Sequence, residues 1–364
     1  MSTEPPVAGG AWDALVDGLR SAGEQLAADT PHLSPDERAD GYRALVRALN
    51  NQLGRFEVDR DRPELVPFNG WREKMFMDNP DFRYWVADIR DSGRYRISGV
   101  VGDAVYTSIT VYARTGGSAT AAATSRIDSD SLRIDDDGGF TVTLSGDAPT
   151  DDGDWLPLSE GASAVWVRQF HHDAAHDRLG SCRIDPIDHV EPPPAIDPAT
   201  FERHLARLGR TIAAFPAIFA ASIRDDLAQP NEVRYWSEMV GGAGFTEPNI
   251  HYVRGSWQLE PDEALVIEVD PPPCRYWNVL LYSRFLNSLD HRSRRVSLTD
   301  GTAQLVDGRS RIVISATDPG GPGDWLDNEG RSFGLFVFRF LQPEREPDLP
   351  TVRRCRLVDL MGAT

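Results

Sequence analysis

Apolar residues along this chain follow two periods. Residues 12–28 and 35–53 space them three and four apart, which predicts two amphipathic helices. Ser34 stands just before Pro35-Asp36-Glu37, the order expected of an N-cap and a first turn. Residues 198–227 repeat the helical spacing behind Asp197. Pro216 lacks a backbone N–H and is expected to start or kink the second part of that helix. The other apolar stretches are short. Residues 104–113 and 276–284 are runs of β-branched and aromatic residues. Residues 140–144 and 311–314 follow Asp-Gly turn signals, and 164–170 and 335–341 read as central strands.

These strand patterns occur twice. A shift of 170 residues aligns 106–156 with 276–326 without a gap and gives 13 identities in 51 positions. Tyr106 meets Tyr276, Tyr112 meets Tyr282, Arg114 meets Arg284, Ser118 meets Ser288 and Asp130 meets Asp300. Asp137-Gly138 meets Asp307-Gly308, and Gly153-Asp154-Trp155-Leu156 meets Gly323-Asp324-Trp325-Leu326. With small indels, residues 80–84 match 248–252, Arg168 matches Arg339, and Cys182 matches Cys355. Such self-similarity predicts one unit used twice. The expected fold is mainly β with helices: two duplicated antiparallel β-sandwich or jelly-roll lobes, each preceded by a helical segment. The divisions read as N-terminal helices over 1–60, a first β lobe over 61–190, a Pro-rich linker with helices over 191–240, and a second β lobe over 241–364. Glu191-Pro192-Pro193-Pro194 marks the linker.

One stretch of the second lobe resembles a known family. It runs from Asp262-Glu263-Ala264-Leu265-Val266-Ile267-Glu268 through Pro271-Pro272 to Arg275-Tyr276-Trp277-Asn278. Asp307-Gly308, Asp318-Pro319, Asp324-Trp325-Leu326-Asp327, Gly330 and Arg339 continue it. The pattern is similar to the proteins of domain of unknown function 1214, with Asp324 where Asn is expected. Residues 79–80 and 95–99 resemble the upstream, 1254-like half of the long actinobacterial type. The resemblance implies β-sandwich lobes and no established reaction.

Charge narrows the partners. Thirty-eight basic residues against fifty-six acidic ones leave a net charge of −18. A surface this acidic repels phosphate backbones and anionic lipid heads, so neither nucleic acid nor membrane is expected as a partner. No run reaches the length of a membrane span, and the polar start lacks the layout of a signal peptide. Three cysteines without a close pair suggest reduced thiols and a cytoplasmic setting. No nucleotide-binding or nucleophile-elbow motif is present, and no cofactor is expected.

Three clusters offer chemistry. The first is His171-His172 with Asp173, His176 and Asp177, a set that suits a metal ion but also reads as a solvated turn. The second is Glu268 and Asp270, two apart on one strand face, joined by His251 as candidate acid–base groups; the plainer reading is a strand edge. The third is the second-lobe set of Tyr252, Trp257, Tyr276 and Trp277, with Asn278 and Arg284 as polar tips for a bound molecule. Strand alternation sets Trp277 opposite Tyr276, so they cannot all face one pocket. Trp155 and Trp325 are read as structural plugs. Arg168 and Arg339 are read as pairing with Asp154 and Asp324 in their own copies.

The expected function is binding of, or action on, a hydrophobic or carbohydrate-like small molecule in an aromatic-lined cleft of the second lobe, by acid–base chemistry if it is catalytic. One alternative is a non-catalytic scaffold. Another is a metal-dependent enzyme built on His171, His172 and His176. The sequence does not fix an oligomeric state.

Overall fold

The chain was described from a computed structural model, which covers residues 8–113, 121–150, 152–193, 195–236 and 247–361. Arg114, Ser118 and Pro194, named above, lie outside these residues.

Helices α1 (Ala8–Asp29) and α2 (Pro35–Leu53) open the chain. Ser34 caps α2 by accepting from Glu37 N at 3.2 Å. The first lobe follows with β1 (Val66–Pro67), β2 (Phe82–Asp88), β3 (Tyr95–Gly102), β4 (Tyr106–Ala113), β5 (Ala122–Asp128), β6 (Gly139–Ser145), β7 (Asp154–Pro157), β8 (Ala162–Phe170) and β9 (Leu179–Pro186). Next come α3 (Pro198–Ser222) and α4 (Arg224–Ala228). The second lobe holds β10 (Val233–Tyr235), β11 (Ile250–Gln258), β12 (Glu263–Val269), β13 (Tyr276–Tyr282), β14 (Ser297–Thr299), β15 (Ser310–Ser315), β16 (Asp324–Asp327), β17 (Phe333–Leu341) and β18 (Thr351–Arg356), and α5 (Val358–Met361) closes the chain.

The duplication is complete at the level of topology. Each lobe pairs a five-stranded sheet with a four-stranded one. The five-stranded orders are β1-β2-β8-β4-β5 and β10-β11-β17-β13-β14; the four-stranded orders are β7-β6-β3-β9 and β16-β15-β12-β18. Every pairing is antiparallel except the short β6–β7 and β15–β16 pairs, which are parallel. Strand β10 belongs to the second lobe's sheet, so that lobe reaches back before residue 241.

Each sandwich buries one face of its five-stranded sheet. In the first lobe Ile109, Val111, Val165 and Val167 pack against Ile97, Val142 and Leu144. The opposite faces of the two five-stranded sheets meet along a seam between the lobes, where Phe82, Tyr106 and Phe170 pack with Tyr276 and Leu341. Phe82 and Phe170 stand 3.9 Å apart by ring centroids, and Tyr276 closes over them at 5.6 and 5.9 Å. Each ring so buried contributes roughly 1.5–3 kcal/mol. With both faces covered, β17 is buried along its whole length. That is why it reads as a continuous apolar run rather than an alternating one.

The helices precede the lobes in the chain, but in space both sets gather on the second. Glu37 pairs with Arg284 at 3.4 Å, Asp40 with Arg331 at 3.0 Å and Asp226 with Arg254 at 2.6 Å. Helices α1 and α3 touch through Gly18 and Gly209, where a Cβ on Gly18 would lie 2.3 Å from the Gly209 carbonyl oxygen. Pro216 does not break α3; the interruption comes at Ile223. Phe215, Pro216 and Phe219 are buried, with Phe219 edge-on to Phe285. This packing offsets the missing backbone hydrogen bond.

Candidate functional site

Between β1 and β2 the chain leaves the first lobe and runs along the second. Lys74, the chain's one lysine, is fully buried and donates to the carbonyls of Ser288 at 2.7 Å and Leu289 at 2.8 Å. Burial pushes its pKa down to about 8. Met77 N donates to Leu286 O at 2.7 Å, and Asp78 accepts from Ser288 N and Oγ at 2.9 and 2.6 Å. Asp81 then accepts from Asn278 Nδ2 at 3.0 Å and Ser297 Oγ at 3.2 Å. These bonds hold residues 74–81 of the first half against β13 and β14 of the second.

A cleft of about 460 Å³ opens along this line, within the size range of small-molecule sites. Its walls are residues 69–71 and 78–83, the loop 172–176 after β8, and residues from the segment 291–302 that runs through β14. Both lobes therefore build it. His172 crosses the boundary: Nδ1 lies 2.7 Å from Asp300 Oδ1, and its carbonyl accepts from Thr299 Oγ1. Burial raises the Asp300 pKa above the usual carboxylate value. With Nδ1 committed to Asp300, Nε2 is the ring nitrogen left for a ligand.

The polar groups of the cleft differ in how fully they are used. Arg294 and Arg295 pair with Asp327 and Asp324 at 2.5 and 2.6 Å. Arg83 has no ion pair among the described residues, and its Nε is buried without a hydrogen-bond acceptor. Asn79 is fully buried; its Oδ1 accepts from Asp81 N at 3.0 Å, while its Nδ2 has no partner. His291 packs edge-on to Trp71 at 5.5 Å, and its Nδ1 is also unpartnered. Burial, with Lys74 nearby, pushes its pKa down to about 4, so the ring is neutral at pH 7. Burial also lifts Asp81 to about 6. Trp71 carries four cations against its ring, from Lys74 at 4.5 Å to Arg43 at 5.2 Å, with Arg47 and Arg292 between.

The acid–base and aromatic candidates of the second lobe lie elsewhere and do not share a cleft. Trp257 and Trp277 are plugs of the second sandwich core: Trp257 Nε1 donates to Arg331 O at 3.2 Å, and Trp277 stacks on Phe338. Tyr252 and Tyr276 line the seam between the lobes, as does Asn278, which is spent on Asp81. Arg284 lies over Phe333 and pairs with Glu37 of α2. Glu268 is exposed on the outer face of a four-stranded sheet, next to Arg311. Asp270 is half-exposed beyond that strand, and His251 is exposed on β11 of the other sheet. Strand alternation separates the aromatic side chains, and His251 stands on a different sheet from Glu268 and the adjoining Asp270.

The arginine pairing also differs from expectation. Arg168 bonds to Glu247 at 2.8 Å and Tyr112 Oη at 3.0 Å, and Arg339 bonds to Tyr282 Oη at 2.8 Å. Asp154 and Asp324 pair instead with Arg133 and Arg295. The reason is placement: the aspartates sit on four-stranded sheets, whereas the two arginines face the seam. Trp155 and Trp325 behave alike, each donating from Nε1 to the carbonyl and hydroxyl of Ser145 or Ser315.

The His cluster splits. His171 is buried on Asp177, His172 faces the cleft on Asp300, and His176 pairs with Asp173. Among the described residues no three His, Cys, Asp or Glu side chains are arranged to hold a metal ion. No helix among them is long and apolar enough to cross a membrane. Cys182, Cys274 and Cys355 are free thiols. Asn79, Asp81 and Arg83 were not singled out by sequence reasoning, although residues 80–84 stood out in the repeat. There Asp81 meets Asn249 and Arg83 meets His251, a divergence that marks the position.

Known proteins resemble this architecture without assigning its chemistry. No protein of curated function matches the chain. A crystal structure of an uncharacterized protein from Burkholderia cenocepacia is similar over 97% of this chain and 98% of its own, with 28% identity and a TM-score of 0.89. A crystal structure of a Vibrio parahaemolyticus protein shares the fold at 11% identity, covering 93% of this chain and 100% of its own, with a TM-score of 0.50. The family described as protein of unknown function (DUF1214) matches at residues 87–173 and again at 257–345, once in each lobe. The DUF1214 family model therefore matches this chain twice, in keeping with its internal duplication.

Proposed function

We propose that this protein binds a small polar, carbohydrate-like molecule in the cleft between its lobes, and that His172 supplies acid–base chemistry there. The observation that carries the reading is the His172–Asp300 pair, contributed by different lobes and set on a cleft of about 460 Å³. A carboxylate on Nδ1 fixes the orientation of an imidazole and leaves Nε2 to take a proton and return it. Trp71 and Phe82 offer apolar surface, and Asn69, Asn79 and Ser297 offer polar contacts. The site thus moves from the second-lobe aromatics to the boundary. A cytoplasmic setting belongs to the same proposal, supported by three free thiols, as does the long actinobacterial type with its 1254-like upstream half.

The test is a screen of polar fragments (sugars, polyols and hydroxy acids) by protein NMR on the native chain and on Ala174→Trp, which fills the cleft. Fragment-induced shifts at Trp71 and His172 that vanish in Ala174→Trp are expected. Fragments that bind equally well to both proteins would place the site elsewhere.

A further inference from the structure

We propose that the ligand of this cleft carries a single carboxylate, anchored by Arg83 and Asn79; the inference rests on the cleft being the binding site. Three arginines line the cleft, and two of them are neutralised by Asp324 and Asp327. Among the described residues Arg83 is not, in a chain whose acidic residues outnumber its basic ones 56 to 38. A half-buried guanidinium without a counter-ion is unfavourable unless an anion arrives to meet it. Four residues earlier, Asn79 presents a fully buried amide whose Nδ2 has no acceptor. Both of these groups are donors, the third unpartnered group of the cleft, His291 Nδ1, can donate as well as accept, and a carboxylate supplies acceptors.

The acids of the cleft do not compete for these donors. Asp78 is filled by Ser288, Asp81 by Asn278 and Ser297, and Asp173 by His176 and Ala175 N. Their charge does limit the ligand. One unpaired arginine balances one negative charge, whereas a phosphate dianion would meet net repulsion from Asp78, Asp81 and Asp173. The geometry therefore points to a small monocarboxylate, with the acid–base imidazole of His172 on the same cleft.

Acetate, its neutral isostere acetamide, and inorganic phosphate are suitable probes, read through the NMR signals of Trp71 and His172. Saturable acetate binding is expected, with acetamide and phosphate at least roughly tenfold weaker. Arg83→Met is expected to weaken acetate roughly tenfold or more, since a hydrogen-bonded charge is lost. Should that variant not fold, Asn79→Asp is the second test, because it sets a like charge against the ligand and is expected to abolish the response. Acetamide binding as tightly as acetate would overturn the carboxylate while leaving the cleft intact as a polar site. Phosphate binding more tightly than acetate would overturn it too. So would an acetate affinity unchanged in Arg83→Met, or no saturable response to acetate. The fragment screen with Ala174→Trp separately decides whether the cleft itself fails.

Discussion

His172 Nδ1 and Asp300 Oδ1 lie 2.7 Å apart and join the two halves of a duplicated chain across a shared cleft. The matching place in the other copy is built differently. Asp130, the counterpart of Asp300, takes Arg275 and Gln342 instead of an imidazole. The duplication therefore supplies two related junctions, and only the one at His172 adjoins the cleft described above. His172→Ala is expected to remove any turnover. Asp300→Asn is expected to lower it, with a thermal midpoint within a few degrees of native because a half-exposed pair contributes only about 1 kcal/mol or less. Paired activity and melting measurements check this; a large loss of stability in Asp300→Asn would make the pair structural.

Asp81 and His291 should leave opposite marks on the pH dependence of stability. Burial raises Asp81 from 3.8 to about 6, so the folded state binds its proton more readily. Its contribution is present at acid pH and is lost as pH rises through about 6, an effect of roughly 3 kcal/mol. His291 is lowered from 6.5 to about 4. Its contribution is present above pH 6.5 and is lost as pH falls through 4; partial exposure makes it the smaller. Between pH 4 and 6.5 the two oppose each other. Asp81→Asn should therefore lose stability more steeply on acidification than the native chain, and His291→Gln less steeply. Urea unfolding across that range reads both, and parallel curves would refute the assignment.

Arg168 and Glu247, both 2% exposed at the side chain, form a buried pair across the seam. Glu247→Ala should destabilise by about 3–5 kcal/mol, because it takes the carboxylate away from a buried guanidinium. The double variant Arg168→Met with Glu247→Leu should lose far less. Denaturant titration distinguishes the two outcomes. Equal losses would mean that the pair matters for shape alone.

Trp155 and Trp325 make the same indole hydrogen bonds in separate lobes. Trp155→Phe and Trp325→Phe should each cost roughly 1 kcal/mol and add in the double variant, as independent sites do. A much larger effect of one would show that the copies have diverged in the role of this corner.

Much of the fold was legible because it rests on local chemistry. Ser34 ahead of Pro35 announced a helix start, and the Asp-Gly pairs announced turns: Gly138, Asp307 and Gly308 all adopt positive φ. The repeat exposed the shared topology because both copies need the same corner residues. Tertiary placement was less legible. Helices of both halves settle on one lobe, and nothing in their periodicity names the surface they cover. Trp277 and Glu268 looked like a site because aromatic and acidic residues are dense there, yet alternation sends one into the core and the other to solvent. The sequence did single out the His cluster. What it could not show was that residues 291–302, far along the chain, fold back to meet it. Asn79 entered only through a family resemblance and Arg83 only through the repeat; their interest comes from donors left unpaired, a property of three dimensions alone.

The central claim is that the site lies between the lobes, and a crystallographic soak of the native chain with small polar and carboxylate-bearing fragments tests it most directly. The account expects bound fragments in the cleft, against Asn79, Arg83 and His172. Fragments gathered around Glu268 and Asp270, or elsewhere on the surface, with the cleft left to water, would contradict it.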